Sequence, residues 1–481
     1  MHTRPRRIGA LAVTGAVAFG ALAVVVGNQA DAQQPAPVAI EQVLGQELPG
    51  KTALARVESR LAEVAERNQM SIDHLRETLA TDKAAWLDDG GRLFYREPVA
   101  TATEQAADAA ASPRWATTAV TSATGPAFEL HSKPGSKRVI YLDFTGHTIT
   151  GTAWNTNGKP STVTVKPYDT NGNTSTWSTA EQDVIHEVWA RVAEDYAPFN
   201  VDVTTQQPTA AAITRSDASD AYYGTRVLID PGTWYQSGCG CGGVAYVGVY
   251  DQTSRHAYYQ PALVFTKGVG TGAKNIAEVA SHEAGHNVGL SHDGTASAGY
   301  YRGHGAWAPI MGSGYTKAIT QWSKGEYSGA NNKQNDFTVM GQNGMTLRAD
   351  DYGNTTATAK ALTLGTSVRG MYAADSDVDV FRIDLKAGTF NFAANAAAIG
   401  ANLDIKLQLL NSAGTVLATA NPASGQSSAS TPTGMSASIN RQVAAGRYYL
   451  RVVNTGYGNP LNTGYSTYGS VGRYTVRVTA G

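Results

Sequence analysis

In SHEAGHNVGLSHDG, residues 281–294, three histidines and a glutamate fall within one short run of a chain that has ten histidines in all. If this run is helical up to Val288, His282 and His286 stand four residues apart, one above the other on the same face. Two imidazole nitrogens can then reach a single cation. Glu283 follows the first histidine directly, so its carboxylate projects beside such a site, where it serves as a base rather than a ligand. Gly289 comes three residues after His286, where a helix ends if one residue adopts the left-handed conformation that glycine takes cheaply. The chain turns back there, and His292 becomes available as a third ligand. Three neutral nitrogen ligands with one open position suit a catalytic zinc ion, because a structural zinc closes its fourth position with another side chain.

This order of residues, H-E-x-G-H-N-x-G-x-x-H-D, resembles the metzincin metallopeptidases. Gly285, Asn287 and Asp293 point to their adamalysin or reprolysin branch. The resemblance implies an α+β catalytic domain, a mixed twisted sheet with an active-site helix, acting as a zinc endopeptidase on protein or peptide substrates. It implies that Met311, in PIMGSGY, belongs to the family's Met-turn and packs beneath the metal as a hydrophobic floor. By the same resemblance GGVAYVGVY, residues 242–250, is the antiparallel edge strand along which an extended peptide lies. Gly243, Val244, Ala245 and Tyr246 are then substrate-binding residues. Some metzincins place a tyrosine two residues after the turn methionine, where it stabilises the transition state. Here Gly312 and Ser313 follow Met311, and Tyr315 is the candidate for that role. Animal adamalysins are rich in disulfides, whereas this chain has two cysteines, so the resemblance covers the catalytic core and not the accessory modules.

Other segments agree with that layout. RVIYLDF, residues 138–144, has the β-branched and aromatic character of a strand. In TAEQDVIHEVWARVAEDYAPFNVDVTT, Thr179 can cap a helix whose apolar face carries Val184, Ile185, Val188, Trp189 and Val192, with Pro198 ending it before a strand. TRVLID and PALVFT read as further strands, and QNDFTVM as a short helix. From about Asp350 onward DVDVFRIDL, LDIKLQLL, GRYYLRVV and GRYTVRV alternate apolar and polar residues between glycine-rich and serine-rich turns, which argues an antiparallel β-sandwich over residues 349–481. That region resembles the bacterial pre-peptidase C-terminal domain, a companion of secreted peptidases. Its acidic run from Asp375 to Asp379 offers oxygen ligands for calcium or, equally simply, a solvated loop.

The N-terminus reads as a signal peptide over residues 1–32: basic Arg4, Arg6 and Arg7, an apolar stretch, and the cleavage pattern Ala30-Asp31-Ala32. Arg6-Arg7 leaves the twin-arginine and general export routes both open. Residues 33–125 read as a charged, alanine-rich helical propeptide followed by a low-complexity linker beginning near Thr101, and residues 126–348 as the catalytic domain. No cysteine precedes Cys239, so a thiolate latch on the metal is unavailable to the propeptide; Asp88 or Asp89 is the acidic candidate for one. Cys239 and Cys241, flanking one glycine, form an intrachain bridge or stay as thiols.

Charge supports no nucleic-acid partner, the formal net being −1, and a hydrophobic content of 42% is enough for two or three cored domains. A secreted monomer with no membrane span after signal cleavage, holding one zinc ion, is the expectation. The rival reading is a non-catalytic surface-binding or adhesive protein whose sandwich carries the function. Glu283 separates the two, since a degenerate site commonly loses its base. Within the enzyme class, an aminopeptidase or a bacteriolytic amidase would use the same residues.

Overall fold

A capping box starts the helix that organises the centre of the molecule. Ser178 Oγ accepts from Glu181 N at 3.3 Å while the Glu181 carboxylate accepts from Ser178 N at 2.7 Å. The cap is thus Ser178, one residue before the expected Thr179, and it is the Ser178–Glu181 pair that closes the reciprocal cap. In this computed structural model, which describes residues 39–111, 125–232, 234–235, 239–375 and 377–481, the expected signal peptide and most of the linker lie outside the described residues. Among the described residues no helix is long and apolar enough to cross a membrane.

Four helices position the site: α1 (Ile72–Thr81), α2 (Ala102–Ala109), α3 (Thr179–Asp195) and α4 (Ala273–Asn287). Beside them runs an eight-stranded mixed sheet of β1 (Leu48–Pro49), β2 (Ala85–Leu87), β3 (Leu93–Pro98), β4 (Arg138–Asp143), β5 (Asp202–Thr204), β6 (Tyr223–Asp230), β7 (Cys241–Tyr246) and β8 (Ala262–Phe265). Its order is β1-β2-β3-β7-β8-β6-β4-β5. The β8, β6, β4 and β5 pairings are parallel, and those from β8 through β7 and β3 to β1 are antiparallel. The parallel half contributes Ile140, Leu142, Val227, Ile229 and Val264 to a core shared with Ile185, Val188 and Val192 of α3 and Ile276, Ala280 and Ala284 of α4. Each such side chain stabilises by about 1.5–3 kcal/mol when fully buried. Trp189 stays half-buried and donates its indole N–H to Val203 O at 2.9 Å, a polar anchor at the edge of that face.

Two expectations fail at the N-terminal end. The propeptide region is not helical throughout: its strands β1 to β3 extend the catalytic sheet, so β7 is not an edge but lies between β3 and β8. The stretch from Thr101, read as linker, begins with α2, whose Thr101–Glu104 capping box is complete. Alanine richness concealed a capped helix there, and Thr-x-x-Glu was the signal that marked it.

The C-terminal region is a sandwich of a five-stranded and a four-stranded sheet. All its pairings in these two sheets are antiparallel except that of Lys360–Ala361 with Val378–Leu385. Phe381, Ile383, Phe392, Leu407, Leu450, Val452, Val476 and Val478 fill it. It is tied to the end of α3: Arg473 pairs with Glu194 at 3.0 Å, and Asn402 Nδ2 donates to Asp195 Oδ1 at 2.8 Å.

Candidate metal centre

Helix α4 carries His282 and His286 one turn apart, as the spacing requires, and ends at Val288, after which Gly289 takes φ +94°. The left-handed turn sends the chain back so that His292 faces the first two histidines. Each ring is oriented through Nδ1. His282 Nδ1 lies 2.9 Å from Ile310 O, His286 Nδ1 2.7 Å from Leu290 O, and His292 Nδ1 2.6 Å from Asp82 Oδ2. With Nδ1–H donated in this way, each Nε2 presents its lone pair to a common point.

Asn287 fixes the end of the helix against the sheet. Its Nδ2 donates to Tyr246 O at 2.9 Å, its Oδ1 accepts from Thr225, and its carbonyl accepts from Val249 N and Tyr250 N at 2.9 Å each. Two glycines allow the close approach of layers. A Cβ on Gly285 would stand 2.7 Å from Met311 Sδ, so the motif glycine makes room for the fully buried methionine against the helix. A Cβ on Gly243 would stand 2.1 Å from Glu283 Oε1. The Glu283 carboxylate therefore lies directly over β7.

Glu283 is fully buried and neither of its oxygens has a hydrogen-bond partner. Burial pushes its carboxyl well above the ordinary range, and the charge of Glu97 adds to the effect. A buried carboxyl without a partner is costly, and such groups gather at sites of chemistry.

Glu97, at the end of β3, was not anticipated. Its Oε1 stands 3.0 Å from His292 Nε2 and 3.4 Å from His286 Nε2, and its Oε2 3.4 Å from His282 Nε2. His286 Nε2 and His292 Nε2 are 3.1 Å apart. A tetrahedral ion with bonds of about 2.0 Å spaces its ligands by ~3.3 Å, so three imidazoles and a carboxylate fit a zinc-sized cation. The electrostatics agree. Burial depresses His286 to about 4, which keeps it neutral, the form that ligates. Burial works against a proton on His292, yet Glu97 and Asp82 raise it to about 10: excess negative charge there seeks a cation. Burial likewise opposes charge on Glu97, but His292 and His282 hold its carboxyl well below the ordinary range.

The other expected residues are placed as follows. Of the β7 residues, Gly243 backs onto Glu283 while Val244 and Tyr246 pack on the other face of the sheet, and the backbone edge of the strand is taken by β3, with Phe94 opposite Tyr246, Tyr95 opposite Ala245 and Arg96 opposite Val244. Tyr315 is half-buried in a cavity shared with Glu97, His282, Val279 and Ile310, and it packs against the main core. Tyr300 stands beside the histidines: its ring centroid is 4.3 Å from that of His292, and its buried hydroxyl faces the Glu97 carboxylate. Asp88 and Asp89 do not reach the metal site. Asp88 is buried in the turn before β3, where it accepts from Arg92 N at 2.7 Å and burial raises it to about 7. Cys239 and Cys241 are bridged. Of the acidic run, Asp379 joins Asp350 and Asp351 rather than Asp375, their carboxylate oxygens lying within 4.8 Å of one another. Sequence reasoning also missed Asp82, Tyr95 and Asp108, since nothing local marks a residue that acts on a distant helix.

Comparison with known families agrees with this geometry. A model described as metallo-peptidase family M12B reprolysin-like matches residues 161–293, and one described as bacterial pre-peptidase C-terminal domain matches residues 377–454. Among solved structures, the pre-peptidase C-terminal domain of a Bacillus anthracis collagenase is similar at 16% identity, covering 27% of this chain and 97% of its own, with a TM-score of 0.19. The Aeromonas hydrophila periplasmic inhibitor of g-type lysozyme, PliG, is similar at 11% identity, covering 25% of this chain and 93% of its own, with a TM-score of 0.17. No curated protein matches the chain. The histidine geometry on α4 and the two family matches together establish that the chain carries a reprolysin-like metallopeptidase domain followed by a bacterial pre-peptidase C-terminal domain.

Proposed function

We propose that the chain is a secreted zinc endopeptidase of metzincin type, made as a preproenzyme, with residues 1–32 as signal peptide and residues 33–125 as propeptide. The observation that carries this reading is the convergence of three Nε2 atoms beside a buried, partnerless Glu283. His282, His286 and His292 would hold the zinc ion, which polarises a scissile carbonyl and lowers the pKa of a water toward about 7. Glu283 takes the proton of the attacking water and hands it to the leaving amine. Met311, beneath the histidines, keeps the floor of the site apolar. An extended peptide would pair with β7 along Gly243 to Tyr246 once β3 has left, which supplies main-chain hydrogen bonds without sequence preference.

The intact Glu283 counts against a non-catalytic adhesive role. Calcium belongs to the C-terminal domain in this reading: Asp379 is fully buried with Oδ1 unpartnered beside Asp350 and Asp351, and a calcium-dependent rise in Tm lost in Asp379→Asn tests it. The peptidase reading is tested by hydrolysis of casein, gelatin and a mixed peptide library by protein freed of its first 125 residues. Cleavage that His292→Ala abolishes together with bound zinc supports it; full activity in His292→Ala rules out the three-histidine site.

A further inference from the structure

Three carboxylates from one N-terminal segment reach three separate points of the metal centre. Asp108 of α2 accepts from Lys274 N at 3.0 Å and Asn275 N at 2.8 Å, at the start of α4. Asp82, following α1, holds His292 through Nδ1. Glu97 of β3 faces all three Nε2 atoms. Alternation along β3 explains the last contact. Side chains two apart share a face, so Tyr95 and Glu97 point the same way: the Tyr95 ring stacks on His286 at 4.4 Å and lies 4.0 Å from that of His292. Phe94, on the opposite face, packs on Trp154 and Tyr246. The ladder with β7 shifts register between Arg96 and Pro98, at Glu97 itself, where the strand reaches the metal position. Pro98 then lines the cavity beside Val279 and Tyr315.

We infer that Glu97 is the fourth ligand of the metal in the uncleaved chain, and that β3 lies in the peptide groove of β7 as a built-in inhibitor. The inference rests on the peptidase reading above. Glu97 is 4% exposed, and its carboxylate faces the Nε2 atoms of all three site histidines, with the Tyr300 hydroxyl beside it, so the metal centre is where its charge is met. A segment pairing with β7 in place of substrate, with a carboxylate where the open position would be, excludes both peptide and attacking water. Because Asp82 and Asp108 come from the same segment, its departure also removes an orienting partner of His292 and the cap of α4.

The test uses the full-length chain loaded with Co2+ in place of zinc, so that coordination is read from visible absorption without any peptide substrate. Wild type is compared with Glu97→Gln, which preserves shape, and with Glu97→Ala, each checked for unchanged thermal unfolding. The inference predicts shifted Co2+ bands in both variants, and binding of acetohydroxamate that is tightened in Glu97→Ala. If the closed form is about 99% populated, the gain is roughly 100-fold. Identical spectra and identical acetohydroxamate affinity in wild type and both variants would overturn it. The two readings fail separately. Opened Co2+ spectra with no cleavage of any peptide would keep the latch and remove the peptidase; unchanged spectra with active truncated protein would keep the peptidase and remove the latch.

Discussion

Replacing Asp108 by alanine should destabilise the active-site helix from a residue far away in sequence. The first residue before α4 is Gly272, which has no side chain with which to cap, and a Cβ there would come within 2.4 Å of the Asp108 carboxylate. Asp108 therefore supplies in trans what the helix lacks, accepting from two of its orphan N–H groups at 2.8 and 3.0 Å while only 7% exposed. Loss of a side-chain cap costs about 1–2 kcal/mol, and loss of an anion at a partly buried helix N-terminus up to about 1 more. A total of roughly 1–3 kcal/mol corresponds to a fall in Tm of about 2–12 °C in a large domain. Asp108→Asn keeps an acceptor and should lose about half as much. Calorimetry on the full-length chain, with hydrogen exchange at the Lys274 and Asn275 amides, measures both effects; Asp73→Ala, at a fully exposed carboxylate, is the control. Unchanged Tm and unchanged protection of those amides in Asp108→Ala would refute the reasoning.

Further predictions concern the site and the domain junction. Gly243→Ala should retain zinc yet lose turnover, because the new Cβ displaces the Glu283 carboxylate; zinc analysis beside peptide hydrolysis checks it. In protein freed of its first 125 residues, where the Tyr300 hydroxyl no longer faces Glu97, Tyr300→Phe should lower kcat by about 10–100-fold with KM and zinc little changed, and Tyr315→Phe should matter less. Asp195, where burial and the nearby Glu278 charge raise the carboxyl to about 8, keeps a proton that the unfolded chain loses above the ordinary value of 3.8. Its contribution to stability therefore falls as pH rises from about 4 to 8, and melts across that window should be flatter for Asp195→Asn.

The gathering of His282, His286 and His292 beside Glu283 was legible because each sits at a fixed offset along one helix and its following turn, where sequence spacing and spatial spacing coincide. Gly289 was legible for the same reason: only its backbone conformation was at issue. The alternating strands of the C-terminal domain were likewise written in a period of two. What escaped was non-local. Ser178 displaced Thr179 as the cap through a partner three residues on, and α2 was hidden by its alanines. Glu97, Tyr95, Asp82 and Asp108 act on a helix and its following turn more than a hundred and sixty positions away. No local pattern distinguishes Glu97 from the other carboxylates of its segment. Asp88 and Asp89 were named as acidic latch candidates, yet Asp88 serves the turn into β3, and it is the strand that reaches the metal position.

The central claim is most directly tested by Glu283→Gln in protein freed of its first 125 residues, with bound zinc quantified and hydrolysis of a peptide library measured beside wild type. The account predicts equal zinc in both and cleavage by wild type alone. Equal cleavage by the variant would contradict it, since no other described residue then stands in place of the base that the mechanism requires.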